Sequence, residues 1–285
     1  MQQIMVATDF SERSDRAIRR ATLLARQSGA AMTLVTAVDE DRPPRLVQEE
    51  KREAEALLRS MGATIQEMDF VDCKTEVVLA EPSQAIVSTA QRAAPDLLVL
   101  GPHRRQLFRD VFIGTTAERT IRKASWPVLM VNAPPAAAYR NVMITTDLSE
   151  GSQHAIACFA RLKLAPSAYH SILHVFDVPV MRLVMNTAMT EDQRRNYAEE
   201  QRAKASASLA RHVASTPLSN VTQSVRRDAT TVSREILAAA AEGDVDLIVL
   251  ATHGTSGLHR ALLGSVTEEV LRDSPVDVLA IPPAQ

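Results

Sequence analysis

The stretch VATDFSERS at residues 6–14 returns as ITTDLSEGS at residues 144–152. Asp9 and Asp147 are 138 positions apart, whereas the later DLLVLG at Asp96 and DLIVLA at Asp246 are 150 apart. The chain is a tandem repeat, and its second copy carries 12 extra residues between those landmarks. Duplication of this kind decides the architecture before any local pattern does.

Within copy one, short apolar, β-branched runs at 4–8, 32–38, 75–79, 97–100 and 128–131 predict strands. Apolar residues returning at three and four predict helices over 14–27, 45–60, 83–93 and 116–123. Copy two repeats the order, with strands near 142–145, 171–176, 221–225, 247–250 and 278–281. Strands alternating with helices imply parallel pairing through right-handed crossovers. The expected fold class is therefore α/β, with two tandem open parallel five-stranded sheets and helices on both faces. The Pro/Ala linker NAPPAAAY at 132–139 divides an expected domain 1–133 from an expected domain 139–285.

Composition narrows the function. With 46% hydrophobic and 23% charged residues the chain is globular, and a formal net charge of −2 gives no general attraction to nucleic acid or an anionic membrane. No run reaches the roughly 18 apolar residues of a membrane span, and the start MQQIMVATDF lacks a secretory pattern. A cytoplasmic protein is expected. Cys73 and Cys158, one per copy at non-equivalent places, suggest neither a disulfide framework nor a zinc cluster.

The extra residues of copy two fall after Phe176. Thr190 and Gln193 have capping-box spacing and predict a long helix running to about Ala214. Segment 178–190 before it holds Met181, Leu183, Val184, Met185 and Met189, the adaptable composition of a contact surface. It either packs over its own sheet or serves as a lid or a face for an apolar small molecule or protein partner.

In open α/β sheets, ligands bind beyond the carboxyl ends of the strands, at the switch point. Asp9 and Asp147 follow the first strand of each copy, where a carboxylate can accept from a ribose hydroxyl or a base amine. They can equally order the turn, with Ser14 and Ser152 as N-caps. After the fourth strand of copy two comes ATHGTSGLHRALLGSVTEEVL, residues 251–271. Gly254, Gly257 and Gly264 can bring backbone N–H groups close to a ligand, and Gly264-Ser265 opens a helix whose first N–H groups suit a phosphate. Ser265 and Glu268, like Thr115 and Glu118 in copy one, also have the spacing of a capping box, which needs no ligand.

On these motifs the chain resembles a tandem universal stress protein of the universal stress protein A-like family. The family's ATP-binding pattern, G-x2-G-x9-G-[S/T], fits copy two except that Ala251 stands at the first glycine; Gly254 takes the second and Gly264-Ser265 the last pair. Weakened rather than abolished binding is expected from that one methyl. HVFD at 174–177 also resembles the family, and by that resemblance Val175 offers its backbone to adenine. The resemblance implies a Rossmann-like, adenine nucleotide alpha hydrolase-like fold. It implies a site for ATP or another adenine nucleotide, with or without Mg, built from Asp147, Val175, Ala251, His253, Gly254, Gly264, Ser265 and Val266. Units pairing edge to edge through their last strands would do so within this chain, and a homodimer of tandem chains would follow. The expected role is a stress-response regulator with at most slow ATP hydrolysis and a protein partner of unknown identity.

Copy one departs further. Gly101 and Gly114-Thr115 fit the pattern, but Arg104 replaces the second glycine within PHRRQLFRD. Arg104, Arg105 and Arg109 form either a solvated basic loop or a side-chain anion site. Copy two is thus the expected nucleotide site. No Lys follows either Gly-Ser or Gly-Thr pair as a P-loop requires, no GxSxG elbow occurs, and His103, His253 and His259 read as loop residues rather than metal ligands.

Overall fold

A computed structural model of the chain describes residues 1–102, 116–178, 190–218, 220–253 and 263–284. Copy one runs β1 (Gln3–Ala7), α1 (Glu12–Ser28), β2 (Ala31–Val38), α2 (Pro44–Asp69), β3 (Cys73–Leu79), α3 (Pro82–Ala93), β4 (Leu97–Leu100), α4 (Thr116–Lys123) and β5 (Val128–Met130). Copy two repeats it as β6 (Asn141–Thr146), α5 (Glu150–Leu162), β7 (Tyr169–Phe176), α6 (Glu191–Ala214), β8 (Thr222–Arg227), α7 (Val232–Glu242), β9 (Leu247–Ala251), α8 (Ser265–Asp273) and β10 (Asp277–Ile281).

Within each copy the strands pair in parallel, and the two sheets join edge to edge into one ten-stranded sheet of order β3-β2-β1-β4-β5-β10-β9-β6-β7-β8. The junction is antiparallel, with Leu129 of β5 opposite Leu279 of β10. Both strands are buried along their whole length. Two such apolar edges would otherwise present unpaired backbone to water, so pairing them is the stable solution. Alternate residues feed opposite faces, as a strand's period of two requires: Ile4 and Val6 join the core under α1, while Met5 joins the core under α3 and α4.

Two expectations are corrected in length. α2 continues to Asp69 rather than ending near Ser60, because Gly62 lets it lie directly on β3; a Cβ there would sit 2.9 Å from Thr75 Cγ2, and buried Ile65 prolongs the apolar face. α1 and α5 begin earlier than expected, with consequences for the site. At α6 the expected capping box forms in full: Thr190 N–H donates to Gln193 Oε1 at 2.9 Å and Gln193 N–H to Thr190 Oγ1 at 3.3 Å.

The linker between copies is fixed by a buried carboxylate. Asp277 Oδ1 accepts from the backbone N–H groups of Asn132 and Ala133 at 2.9 and 3.0 Å. Its Oδ2 accepts from the Tyr139 hydroxyl at 2.6 Å and from Arg20 Nε at 3.1 Å. Arg20 also donates to the Ala137 carbonyl at 2.6 Å and lies 4.1 Å over the Tyr139 ring.

Candidate functional site

β6 ends at Thr146, and the chain turns through Asp147 and Leu148 into α5. Leu148 takes a left-handed φ of 64°, as Phe10 does at the equivalent place in copy one, with φ of 58°. The N-caps are Ser149 and Ser11, not Ser152 and Ser14. The caps lie three residues sooner than expected, which puts Ser152 and Ser14 in the first turn, where their N–H groups donate to the capping hydroxyls. Ser149 in turn donates its hydroxyl and its N–H to Asp147 Oδ1, at 2.5 and 3.1 Å. In copy one Ser11 does the same for Asp9. Burial raises the Asp9 carboxyl, but hydrogen bonds from Ser11 and Ser14 and the charge of Arg13 outweigh it and hold Asp9 below the ordinary carboxylate range.

The Asp147 turn forms one wall of a cleft of about 260 Å³ at the carboxyl end of the sheet. Leu173, Val175 and Ile236 give it an apolar lining, and Ala251, His253, Gly264, Ser265 and Val266 line it as well. Every described member of the expected set therefore lines one cleft. Gly254 lies outside the described residues, as do Gly257, His259 and the methionines of segment 178–190.

α8 starts at this cleft without a side-chain cap. Its N-cap is Gly264, so Ser265 is the first helical residue and the expected Ser265–Glu268 capping box does not form. By contrast α1, α5, α6 and α7 each carry a serine or threonine cap. Gly264 N–H donates to the Thr252 carbonyl at 3.0 Å and Thr267 Oγ1 to the Ala251 carbonyl at 2.9 Å, which pins the helix start to the end of β9. Gly264 has an ordinary φ of −62°, but a Cβ on it would lie 3.3 Å from the Thr252 oxygen. What the position demands is closeness. His253 Nδ1 is 2.9 Å from Thr252 Oγ1, and its Nε2 is buried without a hydrogen-bond partner among the described residues.

Ala251 is an ordinary strand residue paired with Ile281 and has no left-handed φ, so its methyl is conformationally acceptable. The close approach at this point is shared differently in the two copies. In copy one the glycine is on the loop: a Cβ on Gly101 would meet the Arg13 carbonyl oxygen at 2.7 Å. In copy two it is on the helix: a Cβ on Gly151 would meet the His253 oxygen at 3.2 Å.

Copy one has an equivalent cleft of about 270 Å³, so volume does not separate the copies. Chemistry does. Arg13 lines the first cleft beside Asp9, where copy two has Gly151. Glu81 caps α3 and pairs with Arg119 at 3.2 Å; at the equivalent places copy two has the hydroxyl cap Thr231 and the carboxylate of Glu269, which accepts from Ser233. His103, Arg104, Arg105, Arg109, Gly114 and Thr115 lie outside the described residues. Sequence reading singled out neither Thr146 and Thr267 nor His212. Thr146 repeats Thr8 before each aspartate and was legible in principle; His212, on the copy-specific helix, had no repeat signal.

A duplicated doubly wound α/β unit with a polar-walled cleft at each switch point defines the class of molecule. The universal stress protein family matches residues 1–132 and again 138–282, and the chain belongs to that family. It is 28% identical over 144 residues to universal stress protein MJ0531 of Methanocaldococcus jannaschii, a match taking 46% of this chain and 82% of that protein. It is 26% identical over 160 residues to the stress response protein NhaX of Bacillus subtilis, taking 45% of this chain and 96% of that one. The crystal structure of a universal stress protein from Archaeoglobus fulgidus shares the fold across both copies, with a TM-score of 0.69 at 16% identity over 99% of this chain and 97% of that one. Among the described residues no group of three His, Cys, Asp or Glu could hold a metal ion, and no helix is long and apolar enough to cross a membrane.

Proposed function

We propose that the copy-two cleft binds an adenine nucleotide, ATP in the first instance, and that the chain, with domains 1–133 and 139–285, acts as a nucleotide-responsive regulator in the stress response. One observation carries this: the uncapped amino end of α8 opens on the cleft that also holds the Asp147 turn and an apolar lining. Free N–H groups and the helix dipole favour a phosphate, a carboxylate accepts ribose hydroxyls, and the apolar lining suits a base. Gly264, Ser265, Val266 and His253, whose Nε2 has no partner among the described residues, would face phosphate, Asp147 the ribose, and Val175 the adenine, with Ala251 tolerated beside them. Gly254 would join from beyond the described residues. Any Mg would arrive on the phosphates. With no side chain among the described residues placed as general base, the proposed turnover is slow at most. In copy one, Arg13 lines the cleft and its charge acts on Asp9, which suits a structural or regulatory unit. The last strands are paired inside the chain, so a dimer of tandem chains would use another surface.

Calorimetric titration of the full chain with ATP tests this. One ATP per chain is expected, with Asp147→Asn weakening binding about tenfold, the scale of a lost charged hydrogen bond, and Asp9→Asn leaving it within about twofold. No binding by the wild type, or loss on Asp9→Asn instead, overturns it.

A further inference from the structure

We infer that His212 is a positioning residue that makes nucleotide binding in copy two sensitive to protons, by tying α6 to the turn that carries Asp147. The inference deepens the proposed nucleotide site and rests on it.

His212 lies in the last turn of α6, with Nε2 3.2 Å from Thr146 Oγ1. Thr146 Oγ1 is 2.8 Å from Ser152 Oγ. Taking the Ser152 hydroxyl as donor to the Ser149 carbonyl sets the direction of this chain. Ser152 donates its hydroxyl to the Ser149 carbonyl at 2.9 Å, and Ser149 donates its own to Asp147. Thr146 already accepts the Leu148 N–H at 3.0 Å. The short Thr146–Ser152 contact therefore holds a proton only if Thr146 donates it, and the bond to His212 is filled only if the imidazole donates. The chain runs from His212 to Thr146 to Ser152 to the Ser149 carbonyl. A second imidazole, His174, has Nδ1 2.9 Å from the Thr146 carbonyl. Both imidazoles thus hold the residue that immediately precedes Asp147.

Copy one has the same hydroxyl chain without a titratable head among the described residues. Thr8 donates to Ser14 at 3.0 Å, Ser14 to the Ser11 carbonyl at 2.9 Å, and Thr36 occupies the place of His174, donating to the Thr8 carbonyl at 2.7 Å. The imidazoles belong to the copy with the near-complete phosphate loop. Among the described residues, the charged and titratable groups acting on His212 are Asp147, after β6, and His174 on β7. From α5, uncharged Gln153 closes the contact on Ser215 at 2.8 Å. Burial pushes His212 below the usual histidine value; Asp147 opposes that and His174 adds to it. At neutral pH the ring is an uncharged donor. On acidification it becomes a cation whose charge acts on the Asp147 carboxylate and weakens its hold on ribose hydroxyls.

The test titrates the full chain with ATP between pH 8 and 5.5, alongside His212→Gln, which keeps an N–H donor but cannot titrate. ATP's own phosphate titration is common to both proteins and cancels in the comparison. Wild-type affinity should fall at least about fivefold more than that of the variant across this range, the lower end of coupling between linked sites. Equal pH slopes overturn the inference. NMR titration of the His212 ring without nucleotide supplies an independent readout: a midpoint below 6.5 that falls further in Asp147→Asn is expected, and a midpoint unmoved by that substitution overturns it. Absence of ATP binding at every pH, with the ring titration as expected, would instead sink the nucleotide site itself.

Discussion

Arg20 and Asp277 are 257 residues apart in sequence and 3.1 Å apart in space, and neither is appreciably exposed. One comes from the first helix of copy one and the other from the last strand of copy two, so the pair locks the repeat into a single body. Burial pushes the Asp277 carboxyl upward, and the Tyr139 hydroxyl, the Arg20 guanidinium and two backbone N–H groups pull against it. Asp277→Ala would leave the buried Arg20 Nε, the Tyr139 hydroxyl and two half-buried linker N–H groups without this acceptor. A loss of about 3–5 kcal/mol in unfolding free energy is expected, as for a broken buried pair. Many buried ion pairs can be replaced by apolar residues without cost. Here the double variant Arg20→Met with Asp277→Leu should not recover stability, because Asn132 and Ala133 would still have lost their acceptor. Denaturant titration of the three proteins decides it; full recovery would mean that the guanidinium alone sets the cost.

The two glycines at the helix–loop approach should respond unequally. Gly101→Ala puts a Cβ 2.7 Å from the Arg13 oxygen, closer than backbone can accept, and should cost about 1–3 kcal/mol through overpacking. Gly151→Ala creates a 3.2 Å contact with the His253 oxygen. It should cost less in stability but weaken ATP binding by displacing His253. Thermal melts paired with ATP titrations separate the two effects; an ATP affinity unchanged in Gly151→Ala would remove His253 from the site.

Much of this was legible in the repeat. The TD pair before each helix and the alternating runs placed both sheets, their switch points and the Asp147 cleft, because strand order and ligand position follow from crossover topology. Helix starts were less legible. Ser11 and Ser14 both look like caps, and only the actual turn, with Phe10 in a left-handed conformation, selects Ser11. Ser265 with Glu268 satisfied a capping-box pattern, yet the bond from Gly264 N–H to the Thr252 carbonyl holds Gly264 at the cap position. The Arg20–Asp277 lock joins opposite ends of the chain, and no local pattern encodes such a pair.

Gly264→Val should abolish measurable ATP binding while leaving the fold intact. The backbone has an ordinary φ, so valine can be accommodated locally, but its branched side chain would crowd the Thr252 oxygen and cover the amino end of α8. Gly254→Val is expected to act alike, from the family pattern alone. Circular dichroism with ATP titration checks both; wild-type affinity in a folded Gly264→Val would move the phosphates away from α8.

Acid should loosen copy one through two identified carboxylates. Asp9 lies below its ordinary 3.8; burial opposes this, and bonds from Ser11 and Ser14 with the charge of Arg13 outweigh it. Glu81 lies below its ordinary 4.5 for parallel reasons: burial opposes, while bonds from Ser83 and Gln84 and the charge of Arg119 prevail. As pH falls, the unfolded chain binds these protons before the folded chain does. The stability the two groups contribute is therefore fully present above their ordinary values and is lost as pH drops through the lowered ones. Glu81→Gln keeps a side-chain oxygen as a helix cap but removes the titration and the Arg119 pair. It should be less stable than wild type at neutral pH and should lose less on acidification, so that the two stability curves converge as pH falls through the lowered Glu81 value. Urea denaturation at a series of pH values reads this directly. Parallel curves would show that Glu81 acts as a cap alone, with no contribution from its charge.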